Sequence, residues 1–285
     1  MHLLPILGDQ LSDDLASLRR ADRAQSILLM AEVADEARYV PHHKQKLVLC
    51  FSAMRHFAER LRQAGWTVDY RPLDAADNRG SLADEIAAAA QRHQATAITM
   101  VEAGEHRVRA MQARIAGATL LEDDRFLVSA AAFAHWRKGR RRLLLEDFYR
   151  WQRRATGLLM EGEQPVGGQW NYDAENRRPL PKDIRIPPPP HFAPDSITRK
   201  VIALVEQRFP AHFGTTHRFG WSVTREQALA ALQDFLTHRL PAFGPYQDAL
   251  AEGAETLFHS LLSPAINCGL LRAREVLDAA HAAWR

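Results

Sequence analysis

Short apolar segments alternate with amphipathic helices through the first half of the chain, and this alternation limits the possible folds more than any other feature. Strands separated by crossover helices pair in parallel, so the pattern predicts an α/β fold with a Rossmann-like parallel sheet. The predicted strands are residues 3–7, 27–31, 67–71, 97–101 and 119–121.

Two of the intervening helices have clear boundaries in the sequence. Residues 44–64 carry apolar side chains at intervals of three and four, and Gly65 follows as the expected C-terminal cap. Ser81, with Asp84 three positions later, predicts the start of the next helix. The apolar stripes of both helices are expected to pack on the sheet.

The composition is that of a folded, soluble protein. Of 285 residues, 46% are hydrophobic and 25% are charged, which excludes a wholly disordered or collagen-like chain. No apolar run is long enough for a membrane span and no signal sequence opens the chain, so we expect a cytoplasmic location. Two cysteines are too few for a disulfide framework or a structural metal site, and we assign no metal ligands.

The regular pattern stops at about residue 161, where glycine and proline become frequent and four prolines occupy 187–190. This composition favours turns and extended backbone over packed elements. From residue 197 onward the periodicity is helical, with Thr224 and Gln227 as a capping box. The predicted domains are therefore residues 1–160, a linker at 161–196, and a helical part at 197–285.

Ligands of open parallel sheets bind beyond the carboxyl ends of the strands. In this sequence that position, after the first strand, is held by Gly8, Asp9, Gln10 and Leu11. Glycine permits a close approach, while the carboxylate and the amide are potential ligand contacts. The motif for ordinary dinucleotide binding is absent. A second interpretation stays open, in which Asp9 or Ser12 merely caps the following helix.

Basic residues are concentrated in one segment. Residues 131–160 contain eight lysines and arginines against two acidic residues, a local net charge of +6 beside several aromatic side chains. Such a segment is typical of a surface that binds nucleic-acid phosphates, although a solvated helix face gives the same pattern. The candidate DNA contacts are Arg140, Arg141 and Arg142.

A second candidate site lies near the end of the sequence. Ser260 and Ser263, followed by Pro264, predict a helix start, where free backbone N–H groups and hydroxyls can hold a phosphate. A plain N-cap without any ligand remains the alternative. The adjacent His42 and His43 are not expected to bind a metal, because neighbouring side chains on a helix diverge and no third ligand has suitable spacing.

Seven segments in order resemble the iron-sulfur-containing prokaryotic branch of the photolyase and cryptochrome family, and they extend over essentially the whole chain. They are GDQLS (8–12), YVPHHKQKLVLCFSAMRHFAERL (39–61), ADNRGS (76–81), GEQPVGGQWNYDAENR (162–177), FGWSVTREQAL (219–229), FGPYQDAL (243–250) and FHSLLSPAINCGLL (258–271). The resemblance implies an α/β antenna domain, a long linker and the first part of a helical FAD-binding domain.

The same resemblance implies a function and its cofactors. Members of this branch repair ultraviolet photoproducts in DNA, chiefly of the (6-4) type, by electron transfer from photoexcited reduced FAD. The implied partner is ultraviolet-damaged DNA, and we expect a monomer without a membrane partner. The implied antenna is 6,7-dimethyl-8-ribityllumazine, contacted by Gly8, Asp9, Gln10, Leu11, Glu36 and Cys50. The FAD phosphates are expected at Phe243, His259, Ser260, Leu261, Leu262 and Ser263.

Relatives of this kind are about twice as long. In these relatives the catalytic residues and the four ligands of a 4Fe-4S cluster follow the position that corresponds to residue 285. We therefore assign no catalytic residues and no cluster ligands here. We expect a truncated chain that cannot catalyse the reaction alone. Two alternatives remain open: a blue-light photoreceptor of the cryptochrome type, and a fragment that binds only the antenna chromophore.

Overall fold

The chain forms a mixed α/β structure, which we describe from a computed structural model for residues 1–284. The helices are α1 (Ala16–Arg20), α2 (Ala34–Arg38), α3 (Lys44–Gln63), α4 (Leu82–Arg92), α5 (His106–Gln112), α6 (Ala130–Arg137), α7 (Leu145–Thr156), α8 (Ser196–Arg208), α9 (Arg225–His238), α10 (Leu240–Tyr246), α11 (Ser263–Cys268) and α12 (Ala273–Trp284). The strands are β1 (His2–Pro5), β2 (Ser26–Ala31), β3 (Thr67–Arg71), β4 (Ala97–Val101), β5 (Ala118–Leu121), β6 (Met160–Glu161) and β7 (Gln164–Pro165).

The first five strands form one parallel sheet in the order β3-β2-β1-β4-β5. This is a Rossmann-like order, and it confirms the predicted fold class. The chain reverses direction across the sheet between β1 and β4, which is the topological switch point where ligands of such sheets bind. The turn after β1 therefore lies at the expected place for a site.

The boundaries follow the predicted ones closely, with one informative difference. The predicted strand at residues 3–7 ends at Pro5 instead, although the Ile6 N–H still donates to the Leu29 carbonyl at 2.9 Å. Beyond that bond the chain turns, because Gln10 N–H donates back to the Leu7 carbonyl at 3.0 Å. β2 is buried along its whole length, as expected for a central strand covered on both faces.

Local sequence signals account for the helix ends. The His43 imidazole caps α3 by accepting from the Gln45 N–H at 3.0 Å, and Gly65 leaves the helix with φ +84°. The predicted caps of α4 and α9 are confirmed, since Ser81 accepts from Asp84 and Thr224 accepts from Gln227, each at 3.2 Å.

The chain divides into two compact units. The first comprises residues 1–126, 190–229 and 263–272, and its core joins the sheet to α4. That core contains Leu3, Ile27, Leu29, Ile86, Ala89 and Met100. The same unit holds α3 and α8, which pack on each other.

The second unit comprises residues 127–189, 230–262 and 273–285. Its apolar cluster is built around Ala249, Leu257 and Phe258, with partly buried side chains from residues 180–186 packed against it. The domain boundaries 1–160, 161–196 and 197–285 stay a prediction. No helix among residues 1–284 combines the length and apolarity that a membrane crossing requires.

Candidate functional site

Gly8 lies at the end of β1 and faces α3. A Cβ atom at this position would stand 3.1 Å from the Met54 sulfur, closer than nearly all real contacts. The absence of a side chain thus lets the strand end approach the helix. Met54 was not among the predicted site residues, because no local signal in the sequence pairs it with Gly8.

Gln10 ties the end of β1 to β4. Its side chain is fully buried, and its amide donates to the carbonyls of Val101 at 3.1 Å and Glu102 at 3.3 Å. Its Oε1 accepts from the Leu7 N–H at 3.3 Å. The neighbouring Leu11 is also buried, and its N–H donates to the Cys268 carbonyl at 3.0 Å. These contacts shape the turn.

Asp9 has a perturbed carboxyl group within the same turn. Burial raises the pKa of this carboxyl, against the opposing positive charge of Arg125, although the residue as a whole keeps an exposed surface. Arg125 is held by Asp123 at 2.6 Å and donates to the Asp9 carbonyl at 2.6 Å. The helix-cap interpretation is wrong, because α1 begins at Ala16 without any side-chain cap.

Glu36 reaches the same edge of the sheet through Arg107. The guanidinium donates to both oxygens of Glu36, at 2.9 and 2.6 Å, and to Glu105 at 2.9 Å, and it lies 4.2 Å from the Tyr39 ring centre. The negative charge of Glu105 also contributes to the raised pKa of Asp9. Acidic residues therefore follow β1, β2 and β4 at the same edge of the sheet, and Arg107 bridges two of them, Glu36 and Glu105.

Cys50 lies on α3 one turn before Met54, which is the residue beside Gly8. The Cys268 thiol lowers the pKa of Cys50 against burial, and the negative charge of Asp9 also acts on this thiol. The carboxylates of Asp9 and Glu36 are acceptors of the kind that a polyhydroxylated chain needs, and the thioether of Met54 supplies an apolar contact. The residues present fit a ribityl-bearing chromophore in their chemistry.

The predicted phosphate site is a tight turn in the second unit. Leu261 adopts a left-handed conformation with φ +56°, and Ser260 Oγ accepts from the Leu262 N–H at 3.5 Å. The backbone N–H groups of Ser260 and Leu261 have no acceptor within residues 1–284. Successive free N–H groups beside a left-handed residue form an anion-binding concavity, so this turn fits a phosphate.

Aromatic rings surround that turn. The His259 ring lies edge-on to Phe243 with centroids 5.8 Å apart, and Phe243 in turn meets Phe235 at 6.0 Å. Phe258 is buried and packs against Tyr246 at 5.6 Å. These contacts fix the base of the turn. Ser263 begins α11, with Pro264 as its second residue, so the predicted helix start is confirmed.

The basic segment contains arginines in two different situations. Arg140 donates to the Trp136 carbonyl at 2.9 Å and stacks over that ring at 4.6 Å. Arg141 and Arg142 are exposed, and neither makes an ion pair or a side-chain hydrogen bond within residues 1–284. Of the three candidate DNA contacts, the last two are free to bind a phosphate.

Three further arginines surround a single tryptophan. Arg150, Arg153 and Arg154 from α7 place their guanidinium carbons 5.4, 5.5 and 4.6 Å from the centre of the Trp170 ring. Arg153 also donates to Tyr149 at 3.0 Å and to backbone carbonyls. These three guanidinium groups take part in cation–π contacts with Trp170. They therefore stabilise the packing of the segment, and they are less available to bind a phosphate than Arg141 and Arg142.

No cluster of three or more histidine, cysteine or acidic side chains among residues 1–284 has a geometry that could hold a metal ion. His42 contacts Lys46 at 3.2 Å, and the other neighbouring imidazole is the cap of α3. Those two side chains therefore have structural partners.

The chain is similar to a known family and to known proteins, one of which matches nearly all of it. Residues 4–221 match the family model described as deoxyribodipyrimidine photo-lyase-related protein. A (6-4) photolyase of Agrobacterium fabrum is 48% identical over 288 aligned residues, which cover 99% of this chain and 57% of that protein. An uncharacterized protein of Acanthamoeba polyphaga mimivirus is 42% identical over 40 residues, 14% of this chain and 20% of that protein.

Proposed function

Because the chain belongs to the deoxyribodipyrimidine photo-lyase-related protein family, we propose that it forms the front part of a flavoprotein that repairs ultraviolet photoproducts in DNA. The observation that carries this proposal is the 48% identity to a (6-4) photolyase across 99% of the chain. The chain spans 57% of that relative's length, so the activity, the substrate and the DNA partner of the whole protein are all part of the proposal.

The turn from His259 to Leu262 is proposed to hold the phosphates of FAD. Its support is the pair of unsatisfied N–H donors at Ser260 and Leu261, together with the ring of Phe243 beside His259. The hydroxyl of Ser263 at the start of α11 completes the proposed set. When bound, FAD would supply light-driven electron transfer to a (6-4) photoproduct.

The edge of the sheet at Gly8 to Leu11 is proposed to bind the lumazine antenna. Asp9 and Glu36 would accept hydrogen bonds from the ribityl hydroxyls, and the α3 face at Cys50 would lie against the ring system. Gln10 and Leu11 would act by shaping the turn, since their polar groups are already engaged by the protein. The proposed location is the cytoplasm, and the proposed partner is ultraviolet-damaged DNA and not a membrane.

The first experiment identifies the chromophores of the purified chain by absorption and by mass spectrometry after denaturation. We expect a lumazine in the released fraction. In a Cys50→Trp variant the indole should occupy the antenna position by bulk and abolish the lumazine signal, while circular dichroism stays unchanged. Cys50→Leu is the matched control, because it is apolar but small, and it should retain the chromophore. Full lumazine content in Cys50→Trp would contradict the placement.

Phosphate binding at the second turn is tested separately. Leu261→Pro removes one free N–H donor, and proline cannot adopt a positive φ, so it should abolish FAD retention by the whole protein. Leu261→Gly keeps the donor and favours the same backbone, and should retain FAD. The activity test measures light-dependent loss of (6-4) photoproducts from irradiated DNA. Retention of both chromophores without repair would favour a cryptochrome-type photoreceptor.

A further inference from the structure

We propose that an open cavity in the first unit binds a phosphate ester of nucleotide size. The cavity lies between the end of α2 and the segment that follows α8, and its volume is about 360 Å³. Small-molecule sites have volumes of about 300–1,000 Å³, so a nucleotide can be accommodated. None of the lining residues belongs to the proposed antenna or FAD sites. The lining includes Arg38, Pro41, Arg208, Phe209, Pro210 and His212.

Direct contacts join the two walls of the cavity. α8 ends at Arg208, because Pro210 disfavours helical backbone at Phe209. The chain then turns, and the His212 N–H donates to the Phe209 carbonyl at 3.1 Å. The His212 ring meets the buried Phe209 ring edge-on, with centroids 5.0 Å apart, and its Nε2 donates to the Ala37 carbonyl of α2 at 2.9 Å. The cavity is therefore formed before any ligand binds.

Two arginines from different helices line this cavity. Both Arg38 and Arg208 are exposed, and neither makes an ion pair or a side-chain hydrogen bond among residues 1–284. The guanidinium carbon of Arg38 lies 5.6 Å from the centre of the Phe209 ring, a cation–π contact that holds this side chain at the cavity. The two guanidinium groups are therefore available to an anion.

The nearby carboxylates do not neutralise these arginines. A glutamate stands two positions before each of them, and both glutamates are engaged by other cations. Glu36 accepts from Arg107 at 2.9 and 2.6 Å, and Glu206 accepts from Lys44 at 3.0 Å. Asp35 on α2 forms no ion pair with either arginine among residues 1–284. Two positive charges at the cavity therefore remain uncompensated.

Guanidinium groups beside apolar walls fit a phosphate ester. Arginine binds phosphate oxygens through paired N–H donors, and two arginines offset the double negative charge of a terminal phosphate. Pro41, Pro210 and Ala211 supply an apolar surface for the organic part of the ligand. An arginine in the last turn of a helix also interacts with the helix dipole, but that role requires neither a second arginine nor a cavity. The phosphate can come from a free nucleotide or from the end of a DNA strand.

Equilibrium dialysis of the full chain against adenosine monophosphate, in the dark, tests the proposal. We expect one bound nucleotide per chain, and no binding of adenosine, which lacks the phosphate. Inorganic phosphate should bind more weakly than the nucleotide, because it leaves the apolar walls uncovered. Equal affinities for inorganic phosphate and the nucleotide would show an adventitious ion only. That result, or the absence of bound nucleotide, would overturn the proposal.

Substitutions at the cavity locate the bound nucleotide. Arg38→Gln and Arg208→Gln should each weaken its binding by about tenfold, because each removes a charge-assisted hydrogen bond. Ala211→Trp should abolish binding by filling the cavity while both arginines stay in place. Lys200→Gln is the matched control: Lys200 is exposed on α8, has no ion pair or side-chain hydrogen bond among the described residues, and its loss should leave the affinity unchanged. An equal loss of affinity in this control would refute the site.

Leu261→Pro separates this cavity from the turn that is proposed to hold the FAD phosphates, and it should keep its affinity for adenosine monophosphate. If Leu261→Pro loses the nucleotide while the arginine variants keep it, the nucleotide binds at the flavin turn and the proposal is wrong. Circular dichroism checks that each variant is folded. No readout uses repair activity, so a failure here leaves the proposed function standing.

Two oligonucleotides, one with a terminal phosphate and one without, distinguish the sources of the ligand. If the phosphorylated strand binds more tightly and loses this advantage in Arg38→Gln and Arg208→Gln, the cavity binds DNA ends. If the strands bind equally while adenosine monophosphate depends on both arginines, the ligand is a free nucleotide.

Discussion

Charged side chains are buried and paired at the edge of the sheet in the first unit, whereas in the basic segment of the second unit some are exposed and unpaired among residues 1–284. At the sheet edge, Glu32 is fully buried and accepts four hydrogen bonds: two from Arg55 at 2.6 and 2.9 Å, one from the Tyr70 hydroxyl at 2.5 Å and one from the Leu73 N–H at 2.9 Å. In the basic segment, Arg141 and Arg142 are exposed and make no ion pair within residues 1–284.

This difference separates residues that build the fold from residues that are available to a ligand. A buried charge without a partner is costly, so every polar atom of Glu32 is satisfied by the protein itself. An exposed arginine costs little when it is unpaired, and its charge can be directed to a phosphate. We therefore expect substitutions at the sheet edge to change stability, and substitutions in the basic segment to change binding.

The largest effect is expected from Glu32→Ala. The substitution leaves the Arg55 guanidinium without its partner, and breaking a buried pair of this kind costs about 3–5 kcal/mol of unfolding free energy. Urea denaturation measures the loss. Glu59→Ala is the matched control, since Glu59 pairs with Arg62 at 2.6 Å on the exposed face of α3, where such a pair contributes below about 1 kcal/mol. Equal losses would break the comparison.

Gln10→Leu is expected to have the next largest effect. Leucine fills the space but leaves the Leu7 N–H and the Glu102 carbonyl without their partner, a cost of about 1–3 kcal/mol. The exposed Gln91 on α4 provides the control, and Gln91→Leu should change stability by less than about 0.5 kcal/mol. A thermal melt of each variant distinguishes them. Similar melting temperatures would show that the amide of Gln10 is not structural.

Much of the sheet could be predicted from the sequence because its signals are local. β3 and β4 have the predicted bounds, and the Ser81 cap is where the spacing of polar residues put it. Each of these features depends on residues within one turn or one strand. The parallel pairing of the strands also followed, since strands separated by crossover helices pair in parallel.

The site was only partly predictable, because its contacts join distant segments. The close approach of Met54 to Gly8 depends on the packing of α3, and the bridge from Arg107 to Glu36 depends on how α5 lies at the sheet edge. The bond from the Leu11 N–H to the Cys268 carbonyl also joins distant segments, and no local periodicity predicts it. Likewise, Arg140, Arg141 and Arg142 are equivalent candidates for DNA contacts in the sequence. In the structure, only Arg140 of these three stacks on Trp136.

A smaller, pH-dependent effect is expected from Asp69 on β3. Burial opposes ionisation, but hydrogen bonds from Arg92 at 2.6 Å and from His93 at 2.8 Å outweigh it and lower the pKa of this carboxyl. A carboxyl with a lowered folded pKa stabilises the fold above its unfolded pKa of about 3.9, and this contribution is lost as pH falls through the folded value.

Asp69→Asn should therefore lower the urea midpoint at neutral pH, and its deficit relative to the wild type should shrink as pH falls below about 4. Asp74→Asn is the control, because Asp74 is exposed and makes no ion pair or side-chain hydrogen bond within residues 1–284. A deficit that stays constant from neutral to acidic pH would show that the carboxylate charge of Asp69 does not contribute.

The smallest effect on stability, and a clear effect on binding, is expected from replacing both Arg141 and Arg142 with alanine. Because neither side chain has an ion-pair or hydrogen-bond partner among residues 1–284, the unfolding free energy should change by less than about 0.5 kcal/mol. If both contact DNA phosphates, the slope of log affinity against log salt for the whole protein should become shallower by about 2. Arg140→Ala is measured separately, since it also releases Trp136.

The matched control removes two positive charges elsewhere. Arg20 and Lys200 are exposed and have no ion pair or side-chain hydrogen bond among the described residues, so Arg20→Ala with Lys200→Ala changes net charge equally. If the control lowers the salt slope as much as the double variant, DNA responds only to overall charge. If only the double variant lowers it, the phosphates contact Arg141 and Arg142, because a released counterion reports a local contact.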